Sequence, residues 1–263
     1  MRKALDPSHK HLQVTIGGFP TDQLTRAELA ELMVTDSMAA RERRRAGMAL
    51  PPKLVICSNG QGISMAGTDP EFARAMENAD IVHADGMPLV FASRLLTRVP
   101  LPERIATTDF VHDAAKVAAR TGVSFYMLGG TEEQNANACR QLQTLYPDLR
   151  IAGRSNGYDG LADPDLCRKI VDSGADVLWV ALGKPRQEFW CVENRERLRG
   201  VAWIKTCGGL YAFLASEVPR APQWMQDAGF EWVFRLMQEP RRLLQRYLIT
   251  NPHSIYRMIR YSG

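Results

Sequence analysis

Short apolar runs rich in β-branched residues alternate with amphipathic stretches from about residue 53 onward, the pattern of a parallel sheet with crossover helices. The runs predict strands at 53–57, 80–83, 123–128, 149–153, 176–182 and 201–206. Helices are expected between them. One should span 131–145, where Thr131 and Gln134 have capping-box spacing, and another 186–197, with Pro185 suited to a first helical turn. Before this core, residues 11–20 read as a strand and turn, and Thr21 to Arg45 as a long helix ending in RERRR, a charge run expected on a solvated face. The expected fold class is α/β, a Rossmann-like, mostly parallel sheet with helices on both faces and a helical C-terminal appendage.

After about residue 216 the alternation stops. Residues 1–215 are expected to form the catalytic α/β domain and 216–263 an Arg-rich amphipathic appendage. Within the appendage Val233, Leu236, Met237, Pro240, Leu243, Leu244, Tyr247 and Leu248 recur at helical spacing, with Arg235, Arg242 and Arg246 on the other side. Either an ordinary packed helix, kinked at Pro240, or a helix lying on a membrane surface explains that pattern.

At 263 residues and 45% hydrophobic content the chain suits one large domain or one domain with an appendage. The apolar runs are far shorter than the roughly 18 residues needed to span a bilayer. Residues 1–11 build no apolar leader, so a cytoplasmic location is expected. The five cysteines are scattered and never in a C-x-x-C pair, which favours reduced thiols over disulfides or structural zinc. The net charge of +4 divides unevenly: residues 240–263 hold five arginines and no acid, whereas 1–239 carry 28 basic and 29 acidic residues. Such a tail suits a membrane surface, a diphosphate ligand or nucleic acid.

In parallel sheets ligands gather beyond the carboxyl ends of the strands. The first core strand ends in ICSNGQGI, but Met65 stands where a third glycine would complete a dinucleotide fingerprint, so a nicotinamide-dependent oxidoreductase is the weaker reading. Ser58 and Asn59 at that end are candidates for ligand binding or for turn formation and capping. The second strand ends in HADG, which offers Asp85 as a proton acceptor in a cleft or as an N-cap, with His83 expected to serve packing and hydrogen bonding. Gly129 and Gly130 follow the third strand and admit either a diphosphate or a sharp βα turn. Gly183, Lys184, Arg186, Gln187 and Glu188 follow the fifth. Asp163 and Asp165 have the D-x-D spacing of a divalent-metal site, but Asp163 as N-cap and Pro164 at the first helical position explain them without a metal.

Together these pieces resemble the WecG/TagA/CpsF family of bacterial glycosyltransferases (glycosyltransferase family 26) over most of the chain. The linked set is the strand-end Asn59 followed by DPEFARAM, A-D-G, E-R-I with Asp109, L-G-G-T, G-K-P-R-Q-E, and R-A-P-x-W-M with E-W-V-F-R-L-x-x-E-P-R-R. The resemblance implies an inverting transfer, without metal or other cofactor, of a sugar from a UDP-linked donor to a polyprenyl diphosphate-linked saccharide at the inner membrane face, in exopolysaccharide or cell-surface polysaccharide synthesis. The sugar would be N-acetylmannosamine, its uronic acid or a hexose, moved by a hexosyltransferase peripheral to the membrane, with no nucleic-acid partner and homo-oligomerisation open.

Carried over by position, Asp85 matches the general base, Gln187 the active-site glutamine and Arg104 the arginine after the second crossover. Ser58, Asn59, Asp109, Gly129, Gly130, Gly183 and Lys184 fall at the donor pocket. Arg220, Arg235, Arg241 and Arg242 match arginines of an appendage that closes over the diphosphate. Cys57 stands where the family often has a threonine, with neighbouring Ser58 able to supply a hydroxyl.

Overall fold

The computed structural model describes residues 12–263. The reading of residues 1–11 lies outside the described residues. Six strands form one parallel sheet: β3 (Lys53–Ser58), β4 (Ile81–Ala84), β5 (Ser124–Gly129), β6 (Arg150–Ser155), β7 (Val177–Ala181) and β8 (Trp203–Thr206), in the order β4-β3-β8-β7-β5-β6. All six lie where the apolar runs predict them. Apart from edge strand β6 they are buried almost throughout, as expected for strands covered on both faces. One face packs under helices Arg26–Arg45, Thr107–Thr121 and Glu132–Leu145, the other under Pro70–Glu77, Leu166–Asp172 and Arg186–Asn194. The chain moves outward from β3 to β4, crosses to β5, and returns through β7 to place β8 beside β3. That reversal opens a crevice above the carboxyl ends of β3, β8 and β7.

The N-terminal region differs from expectation. Phe19–Asp22 is a strand, β2, paired antiparallel with β1 (Gln13–Ile16), and the helix begins only at Arg26. The buried Asp22 carboxylate accepts the Val82 N–H at 2.7 Å, which fixes β2 against β4, while Thr25 and Glu28 form a capping box that starts the helix. The RERRR run is only partly solvated: Arg41 donates twice to buried Asp176, at 2.9 and 2.6 Å, and Arg44 lies 3.6 Å from the same carboxylate. The capping box at Thr131 and Gln134 forms as predicted. Pro185 sits at the N-cap, not the first helical position, and the helix it opens ends at Asn194 before a short 3-10 turn.

The tail forms helices Gln223–Asp227, Glu231–Gln238 and Pro240–Arg260. Pro240 does not kink a continuous helix. The chain breaks at Glu239 and restarts with Pro240 in the first turn, where a missing N–H costs nothing. Proline inside the helix is instead Pro252. The last helix lies on helix Gly60–Ala66, with Ser64 Oγ 2.9 Å from His253 Nδ1, and its end is stitched to the β1–β2 hairpin by the Gly18 N–H to Tyr261 carbonyl bond at 2.8 Å. Leu243 and Met258 are buried beneath it, whereas Met237, Leu244, Leu248, Ile249, Ile255 and Ile259 are exposed. Among the described residues no helix is long and apolar enough to cross a membrane, and all five cysteines are unpaired and buried.

Candidate active site

A cavity of about 1020 Å³ lies above the carboxyl ends of the central strands, floored by the strand-end loops and roofed by the tail helices. Asp85 enters it from the end of β4. Its backbone N–H donates to the Ser58 carbonyl at 2.8 Å, and its Oδ1 accepts the Thr107 N–H at 2.7 Å, at the first turn of helix Thr107–Thr121. The carboxylate is thus oriented by backbone groups of two neighbouring elements while still lining the cavity. It is not an N-cap of the helix that follows β4, whose cap position is Gly86.

Beyond β7, Lys184 Nζ donates to Glu188 Oε1 at 2.7 Å and to the Cys57 carbonyl at 3.0 Å. Burial alone would pull this ammonium down, but Glu188 and other negative neighbours outweigh it, and Lys184 is pushed up to about 12. Buried Gln187 donates to Glu188 Oε1 at 2.9 Å and accepts the Gly208 N–H at 3.0 Å, so its amide orientation is set from both ends. The Lys184–Pro185 peptide bond is cis.

Nine of the sequence-derived site residues line this cavity: Asn59, Asp85, Arg104, Gly130, Gly183, Lys184, Gln187, Arg235 and Arg242. Asn59 also caps helix Gly60–Ala66, its side chain accepting the Gly62 N–H at 3.0 Å, so both of its readings hold. Five others lie outside. Ser58 is buried on β3, so the hydroxyl missing at Cys57 is not supplied at the cavity wall by its neighbour. Gly129 has φ +118°, and a Cβ there would strike the Ala181 carbonyl, so the close approach it allows is to β7 rather than to a ligand. Arg241 is exposed.

Asp109 and Arg220 pair with each other in a cluster that docks the tail. Asp109 also receives Arg104 at 3.3 Å and lies 3.9 Å from Arg26, while Arg104 donates to Glu231 at 2.9 Å and to Gln226 at 3.1 Å. Arg104 therefore faces the cavity while bracing the roof.

The D-x-D carboxylates are engaged elsewhere. Asp163 accepts the Asp165 N–H at 2.9 Å and pairs with Lys169, and Asp165 pairs with Arg168 at 3.0 Å. The helix there begins at Leu166, two residues later than a cap at Asp163 implies. The His83 imidazole is fully buried against the Phe110 ring beside the Ile105 backbone, and burial followed by Lys205 holds its pKa well below the ordinary value.

The roof is what the strand-end reading largely missed. Arg235 stacks over Phe213 at 5.2 Å and Arg246 over Tyr247 at 4.7 Å, and both line the cavity with Trp232. Neither arginine has a carboxylate partner among the described residues, and the Nε of each is buried without a hydrogen-bond partner. Arg242, by contrast, pairs with Glu239, and the hydrogen bond from Arg242 is the main cause holding that carboxyl below its usual range. Gly208 and Tyr211, beyond β8, also line the site. The signal for them was a further strand-end glycine pair, Gly208–Gly209, of the same kind as at β5.

A cavity with one backbone-oriented carboxylate on its floor and two guanidinium groups in its roof that form no ion pair among the described residues suits base-assisted chemistry on an anionic ligand. The family model for the glycosyl transferase WecG/TagA/CpsF family matches residues 14–262, nearly the whole chain, and the protein belongs to that family of glycosyltransferases.

Proposed function

We propose that the protein moves a sugar from a UDP-linked donor to a polyprenyl diphosphate-linked saccharide during cell-surface polysaccharide synthesis, with inversion and without a metal. The observation that carries this reading is the opposition of Asp85 to Arg235 and Arg246 across one cavity. Asp85 removes the proton of the acceptor hydroxyl as that oxygen attacks the anomeric carbon. The bond to the diphosphate oxygen breaks and UDP leaves with the electron pair. Charge then grows on the leaving diphosphate, where Arg235, Arg246 and the buried Lys184 ammonium stabilise it, a contribution worth on the order of 10² to 10³ in rate per group. Gln187, with its amide fixed by Glu188 and Gly208, orients the sugar or acceptor.

Residues 216–263 serve as the lid. Arg235, Arg242 and Arg246 face inward and the exposed Leu244, Leu248 and Ile259 face outward, which fits a lid resting on the inner face of the membrane where the lipid-linked acceptor resides. Binding of a UDP-sugar panel by thermal shift, followed by transfer to a short-chain polyprenyl diphosphate acceptor, tests the reading. UDP-dependent stabilisation with transfer supports it; tight NAD binding with no response to UDP contradicts it.

A further inference from the structure

The RERRR run at the end of helix Arg26–Arg45 lies away from the cavity above the strands. A second cavity, of about 450 Å³, opens beside it, and its wall consists of Arg41, Arg44, Arg45 and Arg150 with Gly122 and Gly174. Every side chain in that wall is an arginine. Gly122 precedes β5, Arg150 opens β6 and Gly174 precedes β7, so this cavity lies at the amino ends of the strands, at the opposite end of the sheet from Asp85.

The four arginines fall into two pairs. Arg41 and Arg44 are held: Arg41 donates to Asp176 at 2.9 and 2.6 Å, and Arg44 donates to the Gly200 carbonyl at 3.0 Å. Asp176 is buried and also accepts the Ser124 N–H at 2.8 Å and the Ser124 hydroxyl at 2.9 Å, so its oxygens are fully engaged. Arg45 and Arg150 are exposed, and neither side chain makes a hydrogen bond or ion pair among the described residues. One carboxylate thus stands against four cations. Arginines in a last helical turn offset the helix dipole, but Arg150 comes from a strand, and its convergence on the others works against their mutual repulsion. Gly122 and Gly174 leave the wall bare: at φ +72° and +70°, a Cβ on either would meet nothing within 4 Å.

We propose that this cavity is a second ligand site, built for a compact polyphosphate anion: an inorganic di- or triphosphate, or the phosphate chain of a nucleotide. Arg41 and Arg44 form its fixed floor, and Arg45 and Arg150, approaching from a helix and a strand, close on the outer oxygens with paired N–H donors. With no apolar side chain in the wall, charge and guanidinium geometry do the recognising, and the volume suits a small molecule. A membrane surface fits less well, because the exposed apolar residues of the lid lie over the other end of the sheet and one flat surface cannot meet both. The site stands independently of the sugar-transfer reading.

The test is titration calorimetry of the full chain with inorganic triphosphate and, separately, with ATP. Arg45→Ala and Arg150→Ala should each weaken triphosphate binding about tenfold. Arg94→Ala, which removes an exposed arginine of helix Met87–Leu96, should leave it unchanged, and so should Arg235→Ala, which assigns the binding to the amino end of the sheet. Arg45 and Arg150 are exposed and unpaired, so their variants should melt with the wild type and lost binding is not lost folding. ATP equal to triphosphate identifies the phosphate chain alone as the ligand, and tighter ATP adds a nucleoside contact; both support the site. No triphosphate binding by the wild type, equal binding in Arg45→Ala and Arg150→Ala, or an equal loss in Arg94→Ala overturns the proposal. So does a chain that ignores triphosphate but adsorbs to anionic vesicles through Arg45 and Arg150.

Discussion

Arg104 joins the floor of the cavity to its roof: the guanidinium, held by Asp109 on the body, donates at 2.9 Å to Glu231 at the start of a tail helix. The lid is therefore anchored by a bond whose loss can be measured. Glu231→Gln should cost about 2 kcal/mol of local stability, the scale of a hydrogen bond to a charged group. Hydrogen exchange should rise across residues 223–238 while the sheet amides stay protected. Uniform exchange across the chain would show that the bond does not anchor the lid.

The roof arginines should act unequally. Arg235→Ala and Arg246→Ala each remove an unpaired guanidinium from the cavity wall and should weaken UDP binding about tenfold, the equivalent of about 1.4 kcal/mol. Arg241→Ala lies on the exposed side and should leave UDP affinity unchanged while reducing adsorption to anionic vesicles. Calorimetry with UDP and vesicle flotation separate the two effects. Equal loss of UDP binding in all three variants would argue against a built anion site.

Lys184 gives a pH-dependent prediction with a definite sign. Its folded pKa, about 12, lies above the ordinary lysine value, so its stabilising contribution is complete below about 10.4 and is lost as pH rises towards 12. Glu188→Gln removes the partner and leaves burial, which lowers the folded value below the unfolded one. Relative to the wild type, where Lys184 contributes no slope below about 10.4, stability of that variant should then rise with pH. Urea unfolding from pH 7 to 10 checks this, and parallel curves would refute the coupling.

Transfer should survive EDTA, and the double variant Asp163→Asn, Asp165→Asn should keep full turnover, because those carboxylates are engaged by Lys169, Arg168 and a backbone N–H away from the cavity. A strict divalent-cation requirement abolished by the double variant would return them to the site.

The sheet was legible because its strands are buried on both faces and so read as continuous apolar runs; edge strand β6 is the least buried of them. Thr21 and Asp22, the second half of strand Phe19–Asp22, were misread as helix because their strand character depends on pairing with β1 and on the Asp22 to Val82 bond, neither of them local. The floor of the site was visible as polar residues at strand ends. The roof was visible only in part: helical spacing separated Arg235, Arg242 and Arg246 from the apolar stripe, but it did not show that Leu243 turns inward while Leu244 and Leu248 stay exposed. Asp109 and Arg220 were assigned to ligand because the sequence does not reveal that they bind each other.

If Asp85 is the base of a sugar transfer, Asp85→Asn should abolish turnover while sparing the donor site. Asparagine preserves the acceptor for the Thr107 N–H and the size of the side chain but cannot take the proton. UDP affinity should stay within about twofold of wild type and transfer should fall by at least about 10². Transfer at the wild-type rate with UDP binding intact would contradict that role.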